Sequence, residues 1–136
     1  MAAPAPVIVV DTAVWADWFR GTDSPEVGRL GDGLEAQDVG LVPVVLTEVL
    51  QGFRADRDFV RARDLLLRLP LLTIDTDGHV AAARLYRDLR RRGITVRGTI
   101  DCIVAQTCIT AGIELLSTDQ DFAAIARHTP LRLCAL

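Results

Sequence analysis

The chain has 136 residues, half of them hydrophobic and 24% charged, which predicts one globular domain spanning residues 1–136 with a core that needs no cross-links. Its formal net charge of -3 excludes a protein that coats nucleic acid nonspecifically, although a nuclease with its acids gathered at one site remains compatible. All 15 basic residues are arginine. The absence of lysine excludes a P-loop, and it also excludes a phospho-receiver or an aspartate-nucleophile phosphatase that resembles the known families, because each needs a lysine.

The N-terminal segment carries the apolar run VIVV, which Asp11 ends. No basic region precedes the run, so the segment differs from a secretory signal. No stretch of the sequence is long enough to span a bilayer. We therefore expect a cytoplasmic protein without membrane contact.

Strand and helix patterns alternate along the rest of the chain. Strands are predicted at 7–10, 39–42, 71–74, 113–117 and 131–134. Helices are predicted at 12–20, 25–37, from 43, at 56–69, at 77–92, at 99–110 and from 119. Such alternation predicts an α/β fold, with a central parallel sheet of four to five strands flanked by helices on both faces.

The helix predicted at 77–92 ends in three arginines followed by Gly93. Cations in a last turn and a glycine just beyond it are typical of helix termination. We prefer this interpretation of Arg90, Arg91 and Arg92 to phosphate binding.

Three cysteines and two histidines could in principle bind a metal. Cys102, Cys108 and Cys134 lack paired C-x-x-C spacing, and His79 and His128 lack the spacing of metal ligands. We expect free thiols and surface histidines, and no zinc site.

Acids follow two of the predicted strands. Asp11 comes after VIVV, and Asp119 and Asp121 come after ELLST. Sites in parallel sheets lie beyond the carboxyl ends of the strands, so these acids are candidates for one site. An acid at a helix start is also explained by capping, which accounts for only one of the pair Asp119 and Asp121.

Two more acids fall on apolar helix faces. At 100° per residue, Glu48 lies within the apolar arc of its helix, and Gly52 leaves open space one turn on. Asp101 lies nearly opposite the polar wedge of the helix at 99–110. Stabilisation of a first-turn acid by the helix dipole, about 0.3 to 1 kcal/mol, is too weak to offset burial of an unpaired carboxylate.

Acids in apolar surroundings raise their pKa values, pair with arginines or share a cation. If these acids share a site, Mg²⁺ is the expected cofactor, with Mn²⁺ as a substitute, because both prefer oxygen ligands.

Four motifs carry a family resemblance: Asp11 in VIVVDTAVW, Glu48 in VLTEVLQGF, Asp101 in TIDCIVAQT and Asp119 in LLSTDQDF. Their order and spacing resemble the PIN domain, and specifically the VapC-type toxins of bacterial toxin–antitoxin pairs. The likeness covers essentially the whole chain. It implies a Mg²⁺-dependent endoribonuclease that leaves 5′-phosphate and 3′-hydroxyl ends.

The resemblance also implies roles for single residues. Asp11 and Asp101 would be the first metal ligands, and Glu48 and Asp119 would complete the catalytic quartet directly or through water. Thr12 would orient a neighbour or the scissile phosphate. Asp121 either caps the last helix or supports a second ion, and we prefer a supporting role for it.

Partners are implied by the same resemblance. They are a cognate small antitoxin protein docked in an apolar groove, an RNA substrate such as tRNA or rRNA, and a second copy in a homodimer. The stripe of Val14, Trp15, Trp18 and Phe19 on the first helix is expected to be mostly core, with a tryptophan at an interface as the open alternative. Arginines that could select RNA are Arg54, Arg57, Arg97 and Arg127.

Two other functions would use the same residues. One is a non-catalytic PIN-like module for dimerisation or RNA docking with a structural cation site, against which the complete quartet argues. The other is a DNA nuclease or processing enzyme with the same metal chemistry.

Overall fold

A computed structural model describes residues 5–136, and in this part of the chain it contains three strands and seven helices. The strands are β1 Ile8–Val10, β2 Val39–Gly40 and β3 Glu114–Leu116. The helices are α1 Thr12–Arg20, α2 Pro25–Glu35, α3 Pro43–Gln51, α4 Asp56–Leu66, α5 Thr76–Arg91, α6 Thr99–Ala111 and α7 Gln120–His128.

The sheet is parallel, with the strand order β2-β1-β3. Ile8 pairs with Val39 on one side of the central strand, and Val10 pairs with Leu116 on the other. All three residues of β1 are buried. Because β1 and β3 are parallel neighbours, their carboxyl ends lie side by side, and the chain leaves both at one edge of the sheet.

The parallel α/β arrangement with flanking helices is confirmed, but the predicted strands at 71–74 and 131–134 are wrong. Leu71 forms a single bridge with Leu41, and Leu133 forms a single bridge with Leu115. The sheet therefore has three strands where four to five were predicted. An apolar run indicates burial, whereas a strand also needs a neighbour whose backbone stays in register for several residues.

The apolar stripe of α1 divides into two parts. Val14 and Trp15 are fully buried in the core, whereas Trp18 and Phe19 are half-buried. The latter two line a cavity between α1, α3 and α4. Core packing therefore explains the first two residues, and the second two face space that another molecule could fill.

The end of α5 is as predicted, and α6 ends in the same way. Gly93 follows the arginines at the end of α5 with φ of 78°, and Gly112 ends α6 with φ of 68°. Both angles lie in the left-handed region, which favours glycine because it has no Cβ. At the end of α5, Arg91 approaches Asp88 at 3.7 Å, and Arg90 lies over the ring of Tyr86.

The three cysteines are free thiols, and both histidines are exposed. Burial raises the pKa of the Cys108 thiol to about 12, so this group stays protonated at neutral pH. Among residues 5–136, no helix combines the length and the apolar character that a membrane crossing requires.

Candidate active site

Asp11 lies where β1 gives way to α1. Its backbone N–H donates to the carbonyl of Leu116 on β3, at 2.9 Å, which fixes it beside the end of that strand. Its Oδ1 accepts the backbone N–H of Thr12, at 2.8 Å, as the N-cap of α1. The side chain is buried, and burial is the main cause that raises its pKa.

Ser117 connects the two strand ends. Its hydroxyl donates to Asp11 Oδ2 at 3.0 Å and accepts the backbone N–H of Asp119 at 3.0 Å. The first of these bonds lowers the pKa of Asp11, in opposition to burial. Ser117 was not predicted, although its position two residues before Asp119 in LLSTD was a signal for a local hydroxyl-to-backbone bond.

Asp119 and Asp121 meet Asp101 at the same edge. Carboxylate oxygens of the three residues all lie within 4.8 Å of one another. Asp119 is the N-cap of α7, because its Oδ1 accepts the backbone N–H of Asp121 at 2.9 Å. Asp101 comes from the first turn of α6. This separation allows one cation with oxygen ligands to contact all three.

Asp101 has the most perturbed carboxyl group of the site. Its pKa is raised from 3.8 to about 6, first by burial and then by the negative charges of Asp11, Asp119 and Asp121, with Glu48 adding a smaller effect. Crowding of this kind favours a proton or a metal ion over a bare carboxylate.

Glu48 reaches the site from the middle of α3. The hydroxyl of Thr12 donates to its Oε1 at 2.8 Å, which fixes the carboxylate beside Asp11. The charge of Glu48 raises the pKa of both Asp11 and Asp101, so the five carboxylates of the site share one electrostatic environment. This acid on an apolar helix face is thus half-buried and held by a hydrogen bond.

Helix N-termini lie around these acids and partly offset their charge. Asp11 caps α1, Asp119 caps α7, and Asp101 lies in the first turn of α6. Each N-terminus carries roughly half a positive charge from its aligned peptide dipoles. Three such ends allow the acids to stay close together before any cation is bound.

One cation of the chain also touches the cluster. Arg97, in the connection from α5 to α6, donates from Nη2 to Asp119 and from Nε to Asp121. It was predicted only as one of several arginines that could contact RNA. Its side chain is 79% exposed, so it covers the acids from the solvent side.

The structure brings all the predicted site residues to one edge of the sheet, but in two groups. Asp101, Asp119 and Asp121 form the tight cluster, and Asp11, Thr12 and Glu48 form a hydrogen-bonded group beside it. Asp121 was predicted only to support the site, but its carboxylate lies as close to Asp101 and Asp119 as a direct ligand of a shared cation would. Metal ligation by each acid stays a prediction.

A cavity of about 790 Å³ opens next to the second group, between α1, α3 and α4. Thr12 and Glu48 line its end at the acids, and apolar side chains such as Trp18 and Phe53 line its walls. Gly52 contributes open space, as the helix pattern predicted. Charged side chains line it as well, namely those of Arg20, Asp58 and Arg61. The groove therefore leads from a surface of mixed polarity to the acidic site.

The sequence matches the family model of the PIN domain over residues 8–128. It is 36% identical over 130 residues to VapC ribonuclease Mb1587 of Mycobacterium bovis and to ribonuclease VapC11 of Mycobacterium tuberculosis, covering 93% of this chain and 96% of each relative. Ribonuclease VapC32 of Mycobacterium tuberculosis is 29% identical over 128 residues.

Solved structures show the same fold at low sequence identity. VapBC2 from Rickettsia felis, bound to a promoter DNA fragment, has a TM-score of 0.75 and 15% identity, covering 93% of this chain and 96% of that one. Mycobacterium tuberculosis VapC20, described as a sarcin-ricin loop cleaving toxin, has a TM-score of 0.66 and 21% identity, covering 92% and 98%.

Proposed function

The chain belongs to the PIN domain family, and from this premise we propose that it is a Mg²⁺-dependent endoribonuclease and the toxin of a toxin–antitoxin pair. The relatives at 36% identity are VapC ribonucleases aligned over nearly their whole length. The observation that carries the proposal is the meeting of five carboxylates at one sheet edge, three of them within 4.8 Å. Such a cluster has the donor set and spacing that suit a hard divalent cation.

In this proposal Asp101, Asp119 and Asp121 hold the cation directly, and Asp11, expected from the resemblance as a first ligand, joins them through Ser117 and adds its negative charge beside the cation. A bound divalent cation would stabilise charge on the reacting phosphate and lower the pKa of a coordinated water. Burial and the neighbouring charges raise the pKa of Asp101 to about 6, so it holds its proton more tightly than an ordinary acid, and a bound cation would displace that proton to the medium.

Glu48 is the proposed group that takes a proton from the attacking water. The Thr12 hydroxyl holds its Oε1 at 2.8 Å, so one oxygen is fixed while the other is available to the site. Thr12 is thus proposed as the residue that orients this carboxylate. A general base must be held within hydrogen-bonding reach of the proton that it removes.

Cleavage of RNA by the purified protein tests the enzymatic proposal. We expect cutting of tRNA or rRNA fragments with Mg²⁺ or Mn²⁺, and no cutting with chelator. Asp11→Asn and Asp101→Asn should each lower the rate at least about 100-fold, because each removes a charge that the cation needs. Asp32→Asn, which changes an exposed acid on α2, is the matched control.

The same assay separates the alternatives. Calorimetric binding of Mg²⁺ without cleavage of any RNA would favour the non-catalytic docking module. Cleavage of single-stranded DNA in preference to the RNA panel would favour a DNA nuclease.

The groove between α1, α3 and α4 is the proposed docking site for the antitoxin. Its aromatic side chains suit the apolar face of an amphipathic helix, and its charged side chains suit the polar residues that flank such a face. Its end at Thr12 and Glu48 would bring a basic side chain of the partner to the acids. Co-expression with a small protein encoded directly upstream should yield a complex without ribonuclease activity. We also propose a homodimer, which sedimentation equilibrium of the free protein would measure.

A further inference from the structure

Arg97 holds two acids of the cluster at once. Its Nη2 donates to Asp119 Oδ1 and Oδ2 at 3.2 and 3.3 Å, and its Nε donates to Asp121 Oδ2 at 3.3 Å. Its backbone N–H also donates to Asp121 Oδ2, at 3.2 Å. The guanidinium thus neutralises charge that a cation between Asp101, Asp119 and Asp121 would otherwise balance.

These contacts are weak ones for a charged pair. Hydrogen bonds between a guanidinium and a carboxylate are typically about 2.7 to 2.9 Å long, and those of Arg97 are longer. The side chain is 79% exposed, so little packing holds it in place. The side chains of Asp119 and Asp121 are only 24% and 19% exposed, so these acids need a counter-charge, but the solvated guanidinium supplies it through long bonds with which a divalent cation would compete.

The backbone of Arg97 is attached to the site independently of its side chain. Its N–H is bonded to Asp121, and the next residue, Gly98, is the N-cap of α6. A guanidinium released from the acids therefore stays attached at the edge of the site. A released arginine is well suited to bind a phosphate, because its planar fork can donate two hydrogen bonds.

We propose that Arg97 is a displaceable counter-ion of the acidic cluster, which a divalent cation replaces and which then holds the phosphate of the bound RNA. This inference rests on the proposed function and adds a substrate-binding residue to it. The opposing view is that Arg97 stays bound to Asp119 and Asp121 and holds both carboxylates in position for the metal. The two views predict opposite changes in metal affinity when Arg97 is removed.

Binding of Mn²⁺ without RNA separates these views. By calorimetry, Arg97→Ala should bind Mn²⁺ about two- to fivefold more tightly than wild type, because the cation no longer displaces an exposed ion pair. Arg97→Lys keeps the charge but loses the fork between two acids, so its affinity should lie between those of the other two proteins. Arg63→Ala, which removes an exposed arginine paired with Asp64 on α4, should bind like wild type.

Kinetics at saturating Mg²⁺ test the phosphate contact. Arg97→Ala should raise KM for RNA roughly tenfold, since a charge-assisted bond is lost. Arg97→Lys should recover part of that loss, and Arg63→Ala should leave KM unchanged. Melting curves of all variants check that each is folded.

Three results would count against these ideas in different ways. Weaker or unchanged Mn²⁺ binding by Arg97→Ala would overturn the displaceable counter-ion. Tighter binding with an unchanged KM would overturn its contact with RNA. Absence of Mn²⁺ binding or of cleavage by the wild-type protein would overturn the proposed function itself, whatever the variants do.

Discussion

Asp101 is the residue whose chemistry departs furthest from that of an ordinary surface acid. Its pKa is raised from 3.8 to about 6, with burial as the largest cause and the neighbouring carboxylates next. The folded protein therefore binds the proton of Asp101 more tightly than the unfolded chain does. The stabilisation that comes from the protonated form is fully present below about pH 4 and is lost as the pH rises through about 6.

Replacement of this carboxyl should stabilise the metal-free protein above that range. We expect Asp101→Asn, in chelator at pH 8, to raise the free energy of unfolding by about 1 kcal/mol, well below the full shift because the group is partly exposed. For a chain of this size that corresponds to a rise in melting temperature of about 4 °C. Thermal melts followed by circular dichroism would measure it.

Three comparisons make this prediction specific. At pH 5 the difference between Asp101→Asn and wild type should shrink, because the wild-type carboxyl is then mostly protonated in the fold. Mg²⁺ at pH 8 should raise the melting temperature of wild type but not that of Asp101→Asn, which lacks one proposed ligand. Asp32→Asn should match wild type in its melting temperature at both pH values and in its response to Mg²⁺. Equal melting temperatures of wild type and Asp101→Asn at pH 8 would contradict the crowding of charge at this position.

The sequence pattern indicated which acids form the site, but not the side chains that hydrogen-bond to them. The helical periodicity predicted Glu48 and Asp101 on apolar helix faces, and the ends of two apolar runs predicted Asp11 and Asp119 at one edge of the sheet. Both predictions were possible because such patterns depend only on residues that are near in sequence. The bond from Ser117 to Asp11 joins residues 106 positions apart, and Arg97 lies 22 positions before Asp119. Such contacts exist only once the sheet has formed, so no local pattern indicates them.

Among the elements, α7 begins at a residue with two roles, its N-cap Asp119. Asp119 caps the helix by accepting the N–H of Asp121, and it is also a proposed cation ligand. An asparagine keeps a side-chain oxygen for the cap but not the charge, whereas alanine keeps neither. The two substitutions therefore separate the structural role from the metal-binding role.

We expect Asp119→Asn to change the free energy of unfolding little and to weaken Mg²⁺ binding at least about tenfold. Asp119→Ala should weaken binding equally and should also lower the free energy of unfolding by about 1 kcal/mol, the usual cost of a lost cap. Urea unfolding and calorimetry would measure the two effects. If Asp119→Asn bound Mg²⁺ as wild type does, the residue would be a cap and no ligand.

The prediction of helices and strands succeeded where local residues mark the start of a helix, and it failed where a strand needs a neighbouring strand to pair with. The starts of α2 and α3, with Pro25 and Pro43 at their first positions, lie where the sequence placed them. The predicted strands at 71–74 and 131–134 have the composition of strands, yet each pairs through one residue. A sheet edge is set by the packing of the helices that cover it, which the composition of a short run does not encode.

For the molecule as a whole, the groove between α1, α3 and α4 links the acidic site to the outside. Gly52 lies in its lining with φ of -76°, an angle that any residue adopts. A Cβ built there would meet only the carbonyl oxygen of Val49, at 3.4 Å. A side chain at this position therefore enters the groove without disturbing the core.

Gly52→Gln should separate partner binding from catalysis. Its side chain would fill space that the antitoxin needs, and we expect the affinity of the complex to fall at least about tenfold while the rate of RNA cleavage stays unchanged. Gly52→Ala is the matched control, since it adds one carbon and leaves the groove open. Calorimetric titration of each variant with the antitoxin, and cleavage by each free variant, would measure both properties.

The outcome decides which surface controls the enzyme. Retained ribonuclease activity that the antitoxin no longer suppresses in Gly52→Gln would mean that inhibition depends on occupation of this groove, from which a partner reaches Glu48. Unchanged antitoxin affinity in Gly52→Gln would contradict docking here and would direct the search to another face. Loss of cleavage by the free variant would instead mean that the groove wall positions Glu48, because Gly52 is the C-cap of the helix that carries Glu48.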